Sequence, residues 1–537
     1  MGRIAGCGLM LIAAVACGES SGPSVGYDFN AKGFEGQQSR HFEIVSTACT
    51  IDTVNLGGVI VPRMTLTVAN DEALYIFKRP SDGKVVANAT TDGQITGPEC
   101  TTTATAKLVI NGSTGDNKVL IDFSSGYFGL GTSATAGSNT NIAVDLKGTT
   151  GVIDQVSLMG TTGPDYWTFG SLGGNVNGAA TAGDKFIDVT VAGITDLKLT
   201  TGAGDDFITG MTSNIVAVST PFAVPLTIFG GDGADRITSG APLSSPLTNT
   251  LSGGAGNDTF LQQASKVADS IDGGDGADTL DYSGRTQKVT ATLGTGSADD
   301  GESSERDDLS DDIETVLGGS AGDLLDATAA GSVAHVLIGN DGNDVLKGGA
   351  LGDTLTGGNG DDVLTGGLGN DTMTGGAGVD TLDYSDTAHD TGVTAALNGS
   401  AGGLTSGGEA DIFNQGTMDL WDIECLRGSN GPDVLSGNLF SNIIWGLGGG
   451  DTINGLAGND SLYGQDGDDT LNGDDDNDLL AGGDGADTLN GGNGADLIDS
   501  TDSSGPVADN AIDCGADNDV LLRDTADTSV MNCELTP

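Results

Sequence analysis

The sequence of 537 residues contains few basic and few aromatic side chains. It has 20 Lys and Arg against 76 Asp and Glu, a formal net charge of −56, and only 4% of its residues are aromatic. The shortage of basic residues argues against nucleic acid as a partner, because such a field repels phosphate. A chain so charged and so poor in aromatics would ordinarily be disordered. Its charge favours cations as partners.

Histidine is also scarce, and the motifs of common catalytic sites are missing. His41, His335 and His389 lie far apart, so the H-E-x-x-H zinc motif of metalloproteases is absent. The acidic run that starts at Asp474 lacks the glycine and the glutamate of an EF-hand loop. The sequence therefore predicts a protein that is not an enzyme. The acids of the amino-terminal part that are candidates for a test, although solvated turns explain them more simply, are Asp165, Asp184 and Asp188.

The amino terminus predicts export. Residues Gly8 to Ala16 form an apolar stretch that is too short to span a bilayer, and Ala14-Val15-Ala16 provides a cleavage site before Cys17. The segment from Ala14 to Cys17 also resembles the lipobox of bacterial lipoproteins, which implies that Cys17 is lipidated. We therefore expect a signal peptide at residues 1–16 and a flexible tether at 17–26. Plain secretory cleavage at the same bond is the alternative.

Six cysteines remain after the signal peptide is removed, and an exported chain permits disulfides. Cys514 and Cys533 bracket the last structured stretch, so we expect them to form a pair. Cys49 and Cys100 are the next candidate pair, which leaves Cys425 as a buried thiol. The connectivity stays open, because spacing alone does not fix it.

Residues 27–200 predict an all-β region. Their apolar runs are short, rich in Val, Ile and Thr, and separated by Gly, Asn, Asp and Ser. From about residue 105 these runs alternate with Gly/Asp turns, which indicates irregular solenoid coils. Before residue 105 both a small sandwich and a cap on the solenoid remain open.

A nine-residue repeat with Gly and Asp at fixed places begins near Thr201, and such a repeat is the mark of a solenoid. We expect degenerate repeats with a first long insert at 201–338, a gap-free block at 339–383, a second insert at 384–427 and a second block at 428–521. A disulfide-closed cap is expected at 514–537.

The two inserts resemble each other. VTATL in the first insert (Val289 to Leu293) matches VTAAL in the second (Val393 to Leu397), and Asp-Ile-Glu follows in both, at Asp312 and Asp422. The simplest interpretation is a long coil of the solenoid whose loop carries no site.

The nonapeptides, such as GGDGADTLD from Gly273 and GLAGNDSLY from Gly455, resemble the RTX, or hemolysin-type, calcium-binding repeat G-G-x-G-x-D-x-U-x. Glycine permits tight turns with positive φ, Asp supplies the hard oxygens that Ca²⁺ prefers, and the large apolar residue U fills a core. The resemblance implies a right-handed parallel β-roll with two nonapeptides per coil. It also implies multiple Ca²⁺ ions between neighbouring coils, each served by Asp of repeat n and of repeat n+2.

Carried over to this sequence, the resemblance makes the Asp at position six the metal ligand. Asp323 and Asp353 are left out, because Ala321 and Leu351 stand where the inner glycine belongs, and the repeat with Asn442 is predicted to be metal-free. The predicted ligands are Asp206, Asp235, Asp258, Asp278, Asp344, Asp362, Asp371, Asp380, Asp433, Asp451, Asp460, Asp469, Asp478, Asp487, Asp496 and Asp519.

Electrostatics indicates what the metal does. Stacked coils lie about 4.8 Å apart, and like carboxylates at that distance repel by about 1 kcal/mol even in water. Calcium reverses the sign of this contact, so that binding and folding become one event. We therefore expect a calcium-binding structural or adhesion protein at the cell surface or outside the cell. Any link to the membrane is expected to run only through a lipid anchor.

Its further partners would be envelope or matrix polysaccharide or surface proteins. Two other functions stay open: a polysaccharide-active or other secreted enzyme that uses the repeats as a stabilising module, and a calcium buffer or sensor.

Overall fold

The computed structural model shows a chain built of β-strands. It describes the strands between residues 48 and 192, residues 196–210, 226–238, 248–262, 268–386, 392–397, 403–405, 410–413 and 423–533, apart from residues 298, 304 and 332. None of these residues lies in a helix, and therefore none lies in a helix long and apolar enough to cross a membrane. The chain divides into two compact units, one up to Asp232 and one from Gly233.

The first unit contains short strands separated by turns. They are β1 (Ala48–Leu56), β2 (Val59–Thr67), β3 (Ala73–Lys78), β4 (Val85–Thr91), β5 (Gln94–Ile95), β6 (Cys100–Thr102), β7 (Lys107–Asn111), β8 (Asn117–Asp122), β9 (Thr140–Asp145), β10 (Asp154–Met159), β11 (Tyr166–Gly170), β12 (Asn175–Ala179), β13 (Ile187–Ala192), β14 (Asp196–Ala203), β15 (Phe207–Gly210) and β16 (Leu226–Asp232).

Two files of parallel strands run through this unit. One joins β2, β7, β9 and β13, and the other joins β3, β8, β10, β14 and β16. Antiparallel strands are added at β1, which pairs with β2, and at β4, which pairs with β3. The parallel stacking therefore begins at β2 and β3, ahead of residue 105.

The second unit also consists of short strands. Its strands are β17 (Arg236–Thr238), β18 (Thr248–Ala255), β19 (Thr259–Leu261), β20 (Ala268–Asp275), β21 (Thr279–Asp281), β22 (Val289–Thr292), β23 (Gly301–Glu302), β24 (Asp308–Leu309), β25 (Thr315–Leu317), β26 (Leu324–Asp326), β27 (Val336–Asp341), β28 (Val345–Lys347), β29 (Thr354–Asn359), β30 (Val363–Thr365), β31 (Thr372–Ala377), β32 (Thr381–Asp383), β33 (Val393–Ala396), β34 (Gly403–Thr405), β35 (Ala410–Phe413), β36 (Cys425–Arg427), β37 (Val434–Ser436), β38 (Ile443–Gly448), β39 (Thr452–Ala457), β40 (Ser461–Asp466), β41 (Thr470–Asp475), β42 (Leu479–Asp484), β43 (Thr488–Asn493), β44 (Leu497–Ser500), β45 (Ala511–Asp513), β46 (Val520–Arg523) and β47 (Val530–Met531).

Successive nonapeptides of the second unit alternate between two parallel sheets. In the carboxy-terminal block one sheet runs β36–β38–β40–β42–β44–β46, and the other runs β37–β39–β41–β43–β45–β47. Ile453 lies opposite Leu471, and Leu471 opposite Leu489, so one coil takes two nonapeptides. The predicted all-β class with a parallel solenoid is confirmed.

The core consists of two files of apolar side chains, one file from each sheet, and each nonapeptide contributes one side chain. Along each strand side chains alternate between the interior and the surface, as in β41, so only position eight of the repeat points inward as a large residue. Leu462, Leu471, Leu480 and Leu489 are all at most 1% exposed. Because the strands are in register, each of these leucines stacks on its counterpart in the next coil.

Both inserts contribute a strand to the solenoid. β22, which contains the VTAT of the first insert, pairs in parallel with β26, and β33 of the second insert pairs in parallel with β37. Each strand also has a short antiparallel neighbour, β23 and β34 respectively. The similar insert sequences thus form similar coils.

The cysteines differ in how far the structure describes them. Cys514 and Cys533 are joined by a disulfide with their Cα atoms 4.9 Å apart, beside the last pair of strands, β45 and β47. Cys425 is a buried thiol in β36. Cys49 is the second residue of β1, and Cys100 is the first residue of β6. The side chains of both lie outside the described part, as does the whole of Cys17.

The leucine file yields a stability prediction. Replacing Leu471, which is fully buried, by Ala should lower the free energy of unfolding by about 2–5 kcal/mol, because it opens a cavity in a core to which each nonapeptide contributes one large side chain. The matched control is Leu439→Ala, since Leu439 is 71% exposed. Urea unfolding in millimolar Ca²⁺ measures both, and equal effects of the two substitutions would contradict this description of the core.

Candidate metal centre

The predicted ligand residues lie in the turns that connect the two sheets. All sixteen Asp side chains are buried, and none is more than 4% exposed. This burial is unusual, because Asp is almost never fully buried unless it is paired. The Asp at position six is the last residue of the turn. The next strand begins directly after it, so that the side chain at position eight enters the core.

A hydrogen bond links each acid to the coil before it. The backbone N–H of Asp451 donates to Oδ1 of Asp469 at 2.7 Å, and the N–H of Asp469 donates to Oδ1 of Asp487 at 2.9 Å. The same bond joins Asp460 to Asp478 at 2.8 Å. Acids 18 residues apart therefore form ladders, with Asp of repeat n next to Asp of repeat n+2.

The second carboxylate oxygen of the ladder acids has no donor. Oδ2 of Asp344, Asp362, Asp451, Asp460 and Asp469 is buried and accepts no hydrogen bond. A buried charged oxygen without a partner is strongly unfavourable. The other ladder acids in the same state are Asp258, Asp278, Asp478, Asp487, Asp496 and Asp519.

The glycine at position one brings a second oxygen to the same place. A Cβ atom added to Gly464 would lie 2.2 Å from Oδ2 of Asp469 and 2.5 Å from the carbonyl oxygen of Gly482 in the next coil. Only glycine fits there, because real Cβ atoms do not approach oxygen so closely. The partnerless carboxylate oxygen and a backbone carbonyl oxygen therefore face the same small space.

Without a cation, the ladder resists ionisation. Burial, together with the carboxylates of Asp362, Asp323 and Asp341, raises the pKa of Asp344 to about 7. Burial likewise raises the pKa of Asp451 and of Asp478 to about 7. A bound cation would remove this penalty, since it favours the ionised carboxylate.

The donors suit calcium. Carboxylate and carbonyl oxygens are the hard ligands of Ca²⁺, which accepts six to eight of them in a tolerant geometry. Among the described residues, no group of three or more His, Cys, Asp or Glu side chains could hold one ion. An ion in the ladder would therefore take two carboxylates from adjacent coils and the rest of its oxygens from the backbone of the turns.

The comparison with protein families identifies these segments. The family model of the RTX calcium-binding nonapeptide repeat (4 copies) matches residues 227–241, 247–261, 268–284, 336–350, 348–382, 427–462, 445–480 and 463–498. In these segments the chain is similar to RTX calcium-binding repeats. No curated protein matches the chain. The matched segments include nearly all of the first block and residues 428–498 of the second, and the Asp residues at position six of these repeats belong to the ladders.

The ladders also contain acids that periodicity does not reveal. Asp487 donates its N–H to Oδ1 of Asp509 at 2.9 Å, and Asp509 donates to Oδ1 of Asp527 at 3.2 Å. Neither acid is in nine-residue phase with the block before it, so a search for the RTX repeat passes over them. The structure places both at the carboxy-terminal end of one ladder.

Glutamates replace Asp where the inserts join the ladders. The N–H of Asp278 donates to Oε2 of Glu314 at 2.6 Å, and that of Asp380 donates to Oε2 of Glu424 at 2.9 Å. Both glutamates belong to the Asp-Ile-Glu that the two inserts share. That shared tripeptide was the sequence signal for them.

The structure does not test the three acids that the sequence offered as candidates in the amino-terminal part. Asp165 and Asp184 lie outside the described residues, and Asp188 lies in β13 without a described side chain. No role is assigned to them.

A substitution within one repeat tests the ladder. Asp469→Asn should raise the midpoint Ca²⁺ concentration for folding by at least about tenfold, because a carboxylate next to a divalent ion is worth about 2 kcal/mol even in water and 1.4 kcal/mol is a factor of ten. Asp466→Asn removes the same charge from an exposed position of the same repeat and is the matched control. Circular dichroism during a calcium titration measures the midpoints, and equal shifts would count against the ladder as the metal site.

Proposed function

We propose that this chain is a calcium-binding structural or adhesion protein whose RTX β-roll folds when it binds Ca²⁺. The observation that carries the proposal is the row of buried carboxylate oxygens with no donor, such as Oδ2 of Asp451, Asp460 and Asp469. Each of these oxygens lies where the next coil supplies a second carboxylate and a carbonyl. A repeated need for a cation is thus built into the solenoid.

Folding and binding are coupled in this proposal because the coils do not stack stably without calcium, and the unfolded chain does not bind calcium tightly. The coils stack acid above acid, and the core offers one apolar side chain per nonapeptide against that repulsion. The unfolded chain holds its acids apart in water and presents no preformed site. The binding free energy of the ions therefore becomes folding free energy.

The proposal includes export of the chain from the cytosol. Extracellular calcium modules bind at about 10⁻⁴–10⁻³ M, a concentration found outside cells and not in the cytosol. The predicted signal peptide at residues 1–16 and the lipidation of Cys17 would deliver an unfolded chain to calcium and anchor it at the cell surface. Its partners there would be envelope or matrix polysaccharide or other surface proteins.

The rival hypothesis of a secreted enzyme makes a different demand. It requires a catalytic constellation, whereas this proposal assigns the position-six acids of the described repeats to calcium. No observation in the described residues favours the enzyme over the structural protein. Turnover of a polysaccharide or an ester by the purified protein would favour the rival.

Metal removal is the direct test of the calcium switch. In EDTA the RTX region should lose its strand signal in circular dichroism and regain it in millimolar Ca²⁺, because the carboxylate ladder repels itself without the ion. Mg²⁺ at the same concentration is the control, since it demands a smaller octahedral site. Equal strand content in EDTA and in Ca²⁺ would refute the proposal.

Surface labelling tests location and metal dependence together. Intact cells treated with a membrane-impermeant amine reagent should label the protein, and its accessibility to added protease should rise sharply after EDTA. A Cys17→Ala variant should be released into the medium if the lipid anchor holds the protein. A protein that is protected from the reagent in intact cells would place it elsewhere.

A further inference from the structure

Four nonapeptides share a turn that differs from the others. In them the position-six side chain accepts the N–H of position two of the same repeat, and we call these closed turns. The bonds run from Gly319 to Asp323 at 2.5 Å, from Gly349 to Asp353 at 2.6 Å, from Ser429 to Asp433 at 2.7 Å and from Asn438 to Asn442 at 2.8 Å. The oxygen that has no donor elsewhere is therefore satisfied within the chain.

The backbone separates the two classes as well. Open turns, which are those of the remaining regular repeats, have positive φ at positions two and four, for example 78° at Gln465 and 138° at Gly467. No residue of the closed turns at 318–326, 348–356, 428–436 or 437–445 has a positive φ. The closed turn is thus a distinct conformation.

Each closed turn has a cause in its sequence. Position four holds Ala321, Leu351 or Phe440 in three of them, and these residues do not reach the φ that glycine adopts there. In the fourth, Gly431 precedes Pro432, and proline restricts the residue before it to extended conformations. Position four therefore decides whether the turn opens.

The preceding coil gives an independent observation. Oδ1 of Asp323, Asp353 and Asp433 accepts an N–H from a residue that has no carboxylate. These donors are Val289 at 2.7 Å, His335 at 2.7 Å and Val393 at 2.6 Å. In the fourth closed turn the position-six residue, Asn442, itself lacks a carboxylate. The pair of carboxylates that joins adjacent open turns is therefore missing between each closed turn and the coil before it. Towards the coil after, Asp323, Asp353 and Asp433 still donate their N–H to Oδ1 of Asp344, Asp371 and Asp451.

We propose that the closed turns bind no calcium and divide the RTX repeats into separately loading arrays. Val289 and Val393 start the strands β22 and β33 of the two inserts, so each insert is paired with the closed turn that docks on it. The second insert separates the two regular blocks, and the closed turns at 428–436 and 437–445 begin the second block. Asp433, which the repeat pattern predicts as a ligand, is instead a structural acid. This inference rests on the proposed calcium function.

A gain of binding tests the inference in the full chain. Asn442→Asp adds a carboxylate to a closed turn and should leave the number of bound Ca²⁺ ions unchanged, because the N–H of Asn438 already donates to Oδ1 of residue 442 and keeps the turn closed. The double variant Phe440→Gly/Asn442→Asp opens the turn and should bind one additional ion. Native mass spectrometry of the folded chain in Ca²⁺ counts the ions, and circular dichroism confirms that both variants fold.

The possible results distinguish a failure of the proposed calcium function from a failure of the division into open and closed turns. A wild-type chain without bound calcium would refute the proposed function, and with it this inference. A wild-type chain that binds calcium would leave the function standing. In that case an extra ion in Asn442→Asp alone, or none in the double variant, would overturn only the division into open and closed turns.

Discussion

The structure depends on one contact that is repeated from coil to coil. A backbone N–H donates to one carboxylate oxygen of the Asp in the next coil, and the other oxygen of that Asp faces inward. Oδ1 fixes the register of the turns, as in the bond from Asp451 to Asp469. Oδ2 is left in a buried place with no donor. The first oxygen builds the stack and the second makes the stack unstable without a cation. Both consequences follow from a single Asp at position six.

The rest of the repeat serves this contact. Position one is glycine because any Cβ there would meet the carboxylate of its own repeat and a carbonyl of the next coil, as at Gly464. Position eight is apolar because one side chain per nonapeptide is all that the narrow interior admits. Such a core supports the stack but offers little against rows of like charge. The low aromatic content of the sequence is thus matched by a narrow core, and in the proposed function the bound ions supply the cohesion that this core lacks.

Much of the fold followed from the sequence because its determinants are local and periodic. A phase of nine residues fixes which side chain turns inward and which acid lies in the turn, so the alternating sheets and the burial of Leu471 and Asp469 were predictable. Contacts formed by irregular segments were not. Asp509 and Asp527 join a ladder out of phase, and Glu314 reaches it with a longer side chain from an insert. Such placements depend on the path of a loop, which periodicity does not encode.

The closed turns show that replacing the glycine at position four of the repeat changes the turn more than replacing the glycine at position two. At position two the φ values of Leu447, Leu456 and Gln465 lie between 77° and 83°, near the left-handed region that other residues enter at a cost on the order of 1 kcal/mol. At position four glycine adopts φ between 114° and 152°, a range that is closed to a side chain, and Asp476 occupies the place only by moving to 80°. Leucine is therefore tolerated at position two, whereas Leu351 at position four closes its turn. In the proposed division into open and closed turns, the capacity of a repeat of this chain for calcium depends more on its inner glycine, and on the residue after it, than on how closely the whole nonapeptide matches its pattern.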